Sequence, residues 1–152
     1  MPISSSTRVP RAGIDPIVSA AEALAVLHLS VTLPCRNETL AMFLDVNDCG
    51  TVLVNVADTG DPMHIVEVGE TMAIAATNSA EITGLVLASV RPYHGLLPGD
   101  DELLLHVNDV VSECGMLLMD WFVIGADGDH SLFHEFGIPA RWTAPGPARV
   151  QT

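Results

Sequence analysis

Positive charge is what this sequence has least of: Lys and Arg together number six against nineteen Asp and Glu, for a net charge of −13. Nucleic-acid backbones and anionic membrane surfaces are held through clustered cations, so neither is an expected partner. The acidity favours solubility and would suit a basic protein partner without specifying one. Cysteine is scarce as well. Cys35, Cys49 and Cys114 are odd in number and form no C-x-x-C pair, which points to reduced thiols in a reducing compartment rather than a disulfide framework. Long apolar runs are missing too. The most apolar stretch, Ala20 to Leu33, carries Glu22 and His28 and is too short to span a bilayer. Met1 to Ala12 is polar, and Arg8 and Arg11 lead into no uninterrupted apolar segment, so no signal peptide is expected. The reading is a soluble, cytoplasmic protein.

What is present is core. With 152 residues, 49% of them apolar, the chain fits one domain that buries about two-thirds of its unfolded surface. Three parts are expected: a flexible N-terminal segment at 1–13, an α/β domain at 14–138, and an irregular, Pro-rich tail at 139–152. Asp15-Pro16 predicts a helix start, with Ile17, Ala21, Leu24 and Leu27 or His28 at helical spacing before Pro34. Thr39 to Val46 and Thr51 to Val56 read as a β-hairpin around the turn Asn47-Asp48-Cys49-Gly50. Asp61-Pro62 predicts a second helix, with Ile65, Val68, Met72 and Ala75 or Ala76 as its stripe and an end near Asn78.

Gly84 to Val90 is a continuous apolar run, as in a central strand covered on both faces. Asp100, Asp101 and Glu102 then place negative charge where a helix dipole favours it. Leu103, Leu104, Val107, Val110, Val111 and Cys114 continue as a buried stripe up to Gly115. Leu117 to Ile124 reads as a strand, Ala126 to Asp129 as a turn, and His130 to Phe133 as an edge strand. The predicted order is α-β-β-α-β-α-β-β: a single mixed sheet flanked by about three helices.

That order and several local strings resemble the RadC-like branch of the JAB family, also called MPN or JAMM. There, an apolar strand runs into H-x-H-P-S-G-x-x-x-P-S-x-x-D and a helix. Here Val86-Leu87-Ala88 is followed by Ser89-Val90-Arg91-Pro92-Tyr93-His94-Gly95-Leu96-Leu97-Pro98-Gly99-Asp100-Asp101-Glu102, and Pro92 and Pro98 match the two prolines without a gap. Leu118-Met119-Asp120-Trp121-Phe122-Val123-Ile124-Gly125 is similar to the family's L-D-H-hydrophobic-hydrophobic-I-G segment, and Asp127-Gly128 with Ser131-Leu132 continues it. The resemblance covers Glu38 to Glu135. It implies a JAB/MPN-like fold, with cytidine-deaminase-like layering.

The family's zinc site needs two imidazoles and a carboxylate, with water in the open position and an upstream carboxylate as base. In this sequence the histidine positions hold Ser89 and Arg91, the aspartate position holds Glu102, and the serine position holds Gly99. The upstream acid is due near Val54 to Ala57, where Asn55 stands; Asp58 follows just after. A guanidinium does not deprotonate in a protein, so Arg91 brings a permanent cation to a ligand position. The expectation is therefore no catalytic residue, no metal and no cofactor, with Arg91 paired instead to Glu102 or Asp101. Domains of the family without the motif generally act as interaction partners, so the resemblance implies a binding or scaffolding module. Its partner would be a protein of unread identity, and self-association is left open.

Two alternatives stand beside it. One is a metal-dependent hydrolase with a rearranged site built on His94, Asp100, Glu102 and His106, where Glu102 and His106 share a helix face. The other is a small-ligand sensor using the vacated pocket. Nucleophilic chemistry has less support: Ser89 ends a strand with His94 five residues on, but no G-x-S-x-G elbow surrounds it. Ala57-Asp58-Thr59-Gly60-Asp61 is acidic and unsuited to phosphate. His130 and His134 would share one face of the edge strand. Trp121 is expected in the core, and Trp142 docked on its own domain.

Overall fold

The computed structural model describes residues 8–142. Its elements are α1 (Ala20–His28), β1 (Glu38–Asp45), β2 (Gly50–Ala57), α2 (His64–Ala76), β3 (Ile82–Arg91), α3 (Asp100–Glu113), β4 (Leu117–Gly125), β5 (Gly128–Ser131) and the single turn α4 (Leu132–Glu135). The strands form one mixed sheet in the order β2-β1-β3-β4-β5. The β3–β4 pair is parallel, joined across α3, and the other neighbours are antiparallel. The expected α/β class and single mixed sheet are what the chain forms, with four helical segments rather than about three.

Both faces of the sheet are covered, and this explains the unbroken apolar run of β3. Leu85 and Leu87 point into a core built from α2 and α3, with Ile65, Val107, Val111 and Trp121. Val86, Ala88 and Val90 point the other way, towards Ala23 and Leu27 of α1, with Met42 and Phe122. Period-two alternation therefore sends hydrophobic residues into two separate cores. Trp121 and Phe122, successive on β4, serve opposite faces and are both fully buried. Each contributes roughly 1.5–3 kcal/mol by leaving water.

Three local expectations need correction. Asp15-Pro16 does not open α1. The Asp15 carboxylate accepts from the Arg11 backbone and guanidinium, and Pro16 bridges to Cys49. Ser19 is the cap instead, its hydroxyl accepting from Glu22 N at 3.2 Å. Asp61-Pro62 forms a turn ahead of α2, with Asp61 Oδ1 accepting from Met63 N, and the helix begins at His64. The last strand stops at Ser131, because the Ser131 hydroxyl accepts from His134 N and caps α4. His130 and His134 thus share no strand face.

The N-terminal boundary of the domain is tied down over its described part: Pro10 is buried and Gly13 N donates to Gly50 O. Residues 1–7 and 143–152 lie outside the described residues. Trp142 packs against the α1-side core, as intramolecular docking requires. Arg141 beside it donates to Asn108 Oδ1 and Leu118 O and lies over the Phe133 ring at 4.8 Å.

The α2–α3 contact leaves no room at Gly69. A Cβ there would lie 2.5 Å from Val107 Cγ2 and 3.4 Å from Leu87 Cδ1, and valine cannot swing aside. Gly69→Ala should destabilise by about 1–3 kcal/mol despite alanine's better helix propensity. Chemical denaturation that shows equal or greater stability would refute this close approach.

Candidate functional site

The segment that resembles a metal-site strand, loop and helix converges at the C-terminal end of β3. Strand alternation puts Ser89 and Arg91 on the α2/α3 face, in line with Leu85 and Leu87. Ser89 sits between Thr39 of β1 and Val123 of β4. Its hydroxyl accepts from Trp121 Nε1 at 2.9 Å, which satisfies the one donor of a fully buried indole.

Arg91 is 7% exposed and does not reach for Asp101 or Glu102; it pairs with Asp100, which is 1% exposed. The pair is bidentate, Nη1 to Oδ2 at 2.8 Å and Nη2 to Oδ1 at 2.9 Å. Nη1 also donates to Gly95 O at 3.0 Å, and Leu97 N donates to Asp100 Oδ2 at 2.7 Å. The connecting loop is thus folded around the ion pair. The guanidinium lies 5.9 Å from the centroid of Trp121, within cation–π reach. A helix turns by about 100° per residue, so only one of three successive acids at the start of α3 can face the strand. Asp100 does, while Asp101 and Glu102 are exposed.

The donors of a zinc site do not come together here. Ser89 is engaged by Trp121, Arg91 carries a fixed positive charge, and Glu102 faces solvent. His94, Asp100, Glu102 and His106 are not gathered either: Asp100 is consumed by Arg91, and the other three are exposed. Among the described residues, no three His, Cys, Asp or Glu side chains are grouped to hold an ion. No hydrogen bond among the described residues joins Ser89 to a histidine. The space bordered by Thr39, Thr59, Ser89, Arg91 and His94 is a cavity of about 30 Å³, room for one water.

No acid on β2 reaches this point. Asn55 donates to Ser30 O on the opposite face, and Asp58, at φ 60°, is exposed. The buried carboxylate nearby is Glu38, which sequence reasoning did not single out. It faces the α1 side with Leu40 and Met42, accepting from Thr32 N and Thr32 Oγ1 at 2.8 Å and from Arg36 Nε at 3.3 Å. On the Ser89 face its neighbour Thr39 donates to Thr59 Oγ1 at 2.9 Å.

A second buried acid was also missed. Asp120, in the middle of apolar β4, is 2% exposed. Its Oδ2 accepts from Ser131 Oγ at 2.6 Å, and its Oδ1 accepts from Trp121 N at 2.7 Å and Phe133 N at 3.3 Å. Burial pushes this carboxyl up to about 6, against the downward pull of those hydrogen bonds. It fastens the β5–α4 turn to the sheet. The signal available was an acid inside an apolar strand, which must find partners if it is buried.

At the β4–β5 turn, His130 Nε2 lies 2.9 Å from Asp127 Oδ1 and its Nδ1 lies 3.4 Å from Glu135 Oε2. The hydrogen bond with Asp127 raises the His130 pKa and lowers that of Asp127. His28 Nε2 meets Asp129 Oδ2 at 2.8 Å. These are partly exposed polar contacts, of small energetic weight. No helix among the described residues is long and apolar enough to cross a membrane. No protein-family model matches the chain, and no curated protein matches it.

Proposed function

We propose that this chain is a non-catalytic, RadC-like JAB-type domain that has given up its zinc site and acts as a binding or scaffolding module for another protein. One observation carries the reading: the Arg91 guanidinium, at a ligand position of the resemblance, is locked in a buried bidentate pair with Asp100. A dication would meet a fixed cation there, and the buried carboxylate beside that cation is already taken by it. The order of elements along the chain and the strand-loop-helix layout at Leu85–Glu102 support it. For a small-ligand sensor the cavity at Ser89 and Arg91, about 30 Å³, is too small for an organic ligand, and such a ligand would have to sit in the open groove beside it, about 440 Å³, lined by Asn37, Gly60 and Pro92.

The test is elemental analysis of the full chain purified without chelator. The expected result is no stoichiometric zinc, and no rise in melting temperature on adding zinc. One zinc per chain, lost when His94 and His106 are both changed to alanine, would overturn the reading in favour of a rearranged metal site.

A further inference from the structure

We propose that β2 is a dimerisation edge, and that a second copy of this chain pairs with it strand to strand to give a continuous sheet across a two-fold axis. β2 is an outer strand of the sheet, with β1 on one side only. The stretch Asp48–Gly50 is partly covered by the N-terminal segment, through Gly13 N to Gly50 O, Ile17 N to Asp48 O and the Pro16–Cys49 bridge. A bulge opposite Phe43 and Leu44 follows. From Val52 to Ala57 the pairing with β1 is regular and no described strand lies beyond it.

That open stretch, Val52-Leu53-Val54-Asn55-Val56-Ala57, lacks the side chains that usually protect an edge. It carries no charge and no proline. Such a segment, uncharged and rich in β-branched residues, is a ready template for another strand. Val52, Val54 and Val56 form a row on one face, and Val52 is 50% exposed. On the other face, Leu29 at the end of α1 is 73% exposed above an apolar groove of about 190 Å³ that Leu53 also lines. An added strand would therefore cover apolar surface on both sides.

The occupant follows from charge. In a chain of net −13, a strand with no charged residue is the part that can meet its own image without opposing carboxylates. Antiparallel pairing of identical strands about Val54 sets valine against valine, a favourable cross-strand combination. Such closure is isologous, so it uses up both edges and stops at two copies. The cost falls at the strand ends, where Asp58 of one copy approaches the Asp48 turn of the other. Salt should relieve that repulsion. This inference stands apart from the metal-site reading and survives its failure.

Sedimentation equilibrium of the full chain, from about 5 to 500 µM, should show mass action between the 16.1 kDa chain and twice that mass. The dimer should tighten several-fold between about 0.05 and 0.5 M salt as the Asp48–Asp58 approach is screened. Val54→Glu should weaken it at least about tenfold, and Val52→Thr, which keeps the strand neutral and β-branched, should weaken it far less. Hydrogen exchange should show the Val52–Ala57 amides gaining protection with concentration. A monomer throughout that range would overturn the proposal, as would a dimer of unchanged affinity in a folded Val54→Glu variant.

Discussion

Replacing Arg91 with alanine will destabilise this protein by about 3–5 kcal/mol, because it leaves the Asp100 carboxylate buried without its counter-ion. For a chain of this size that is a fall in melting temperature on the order of 10 °C. Asp100 is 1% exposed and takes two of its hydrogen bonds from the guanidinium; only Leu97 N would remain. Asp100→Ala should cost a similar amount, since it strands a cation that keeps only Gly95 O and the face of the Trp121 ring. The double change should cost clearly less than the sum of the single ones, because each alone leaves one orphaned charge. Calorimetry of the three variants checks this. Melting unchanged in Arg91→Ala would show that the pair does not hold the loop.

A bidentate guanidinium–carboxylate pair organises the end of β3, the loop and the start of α3 from within the chain, which is the structural work an ion does when it ties elements together. It supplies no open coordination position and no activated water. The segment keeps its shape through a buried salt bridge.

Much of the fold was legible because the periodicities are clean. The turn Asn47–Gly50, the run Leu85–Val90, and the stripe through Leu104, Val107 and Val111 each have one structural solution, and the chain adopts it. What failed was local competition between capping groups. Asp15 is a good cap residue, but Arg11 takes its carboxylate first, and Ser19 starts the helix. Leu132 and Phe133 are apolar and, in sequence, continue the edge strand. A serine cap turned them into a helical turn that still buries both. At the candidate site, Ser89 and Arg91 could be placed on one strand face from spacing alone. The partner of Arg91 could not, since the choice among Asp100, Asp101 and Glu102 depends on helix phase and on how Gly95 and Leu97 fold over the pair. For Asp120 and Glu38 the sequence offers only an acid within an apolar strand; whether it is buried depends on what packs over it, here α1, α4 and Ile138 to Trp142 around Asp120, and Thr32 and Arg36 around Glu38.

Asp120→Asn should leave the protein's stability nearly unchanged in acid and raise it above neutrality, so that the variant's advantage grows with pH. The native carboxyl is pushed from its ordinary 3.8 up to about 6 by burial. Folding therefore favours its protonated form. The stability that this contributes is fully present below about pH 4 and is lost as pH rises through about 6, to a total of roughly 3 kcal/mol. Asparagine can keep the network without the charge: its Oδ1 accepts from Trp121 N and Phe133 N, and its Nδ2 donates to Ser131 Oγ, reversing that bond. Other titrating groups, His130 and Asp127 among them, are common to both proteins and cancel in the difference. The sequence pI is about 4.5, where near-zero net charge promotes association, so pH 5 and pH 8 are the practical ends of the measurement. Between them the difference in unfolding free energy should grow by about 1.5 kcal/mol in favour of Asp120→Asn. Denaturant melts at the two ends that give the same difference would mean that Asp120 is already ionised at pH 5, and that its hydrogen bonds outweigh its burial.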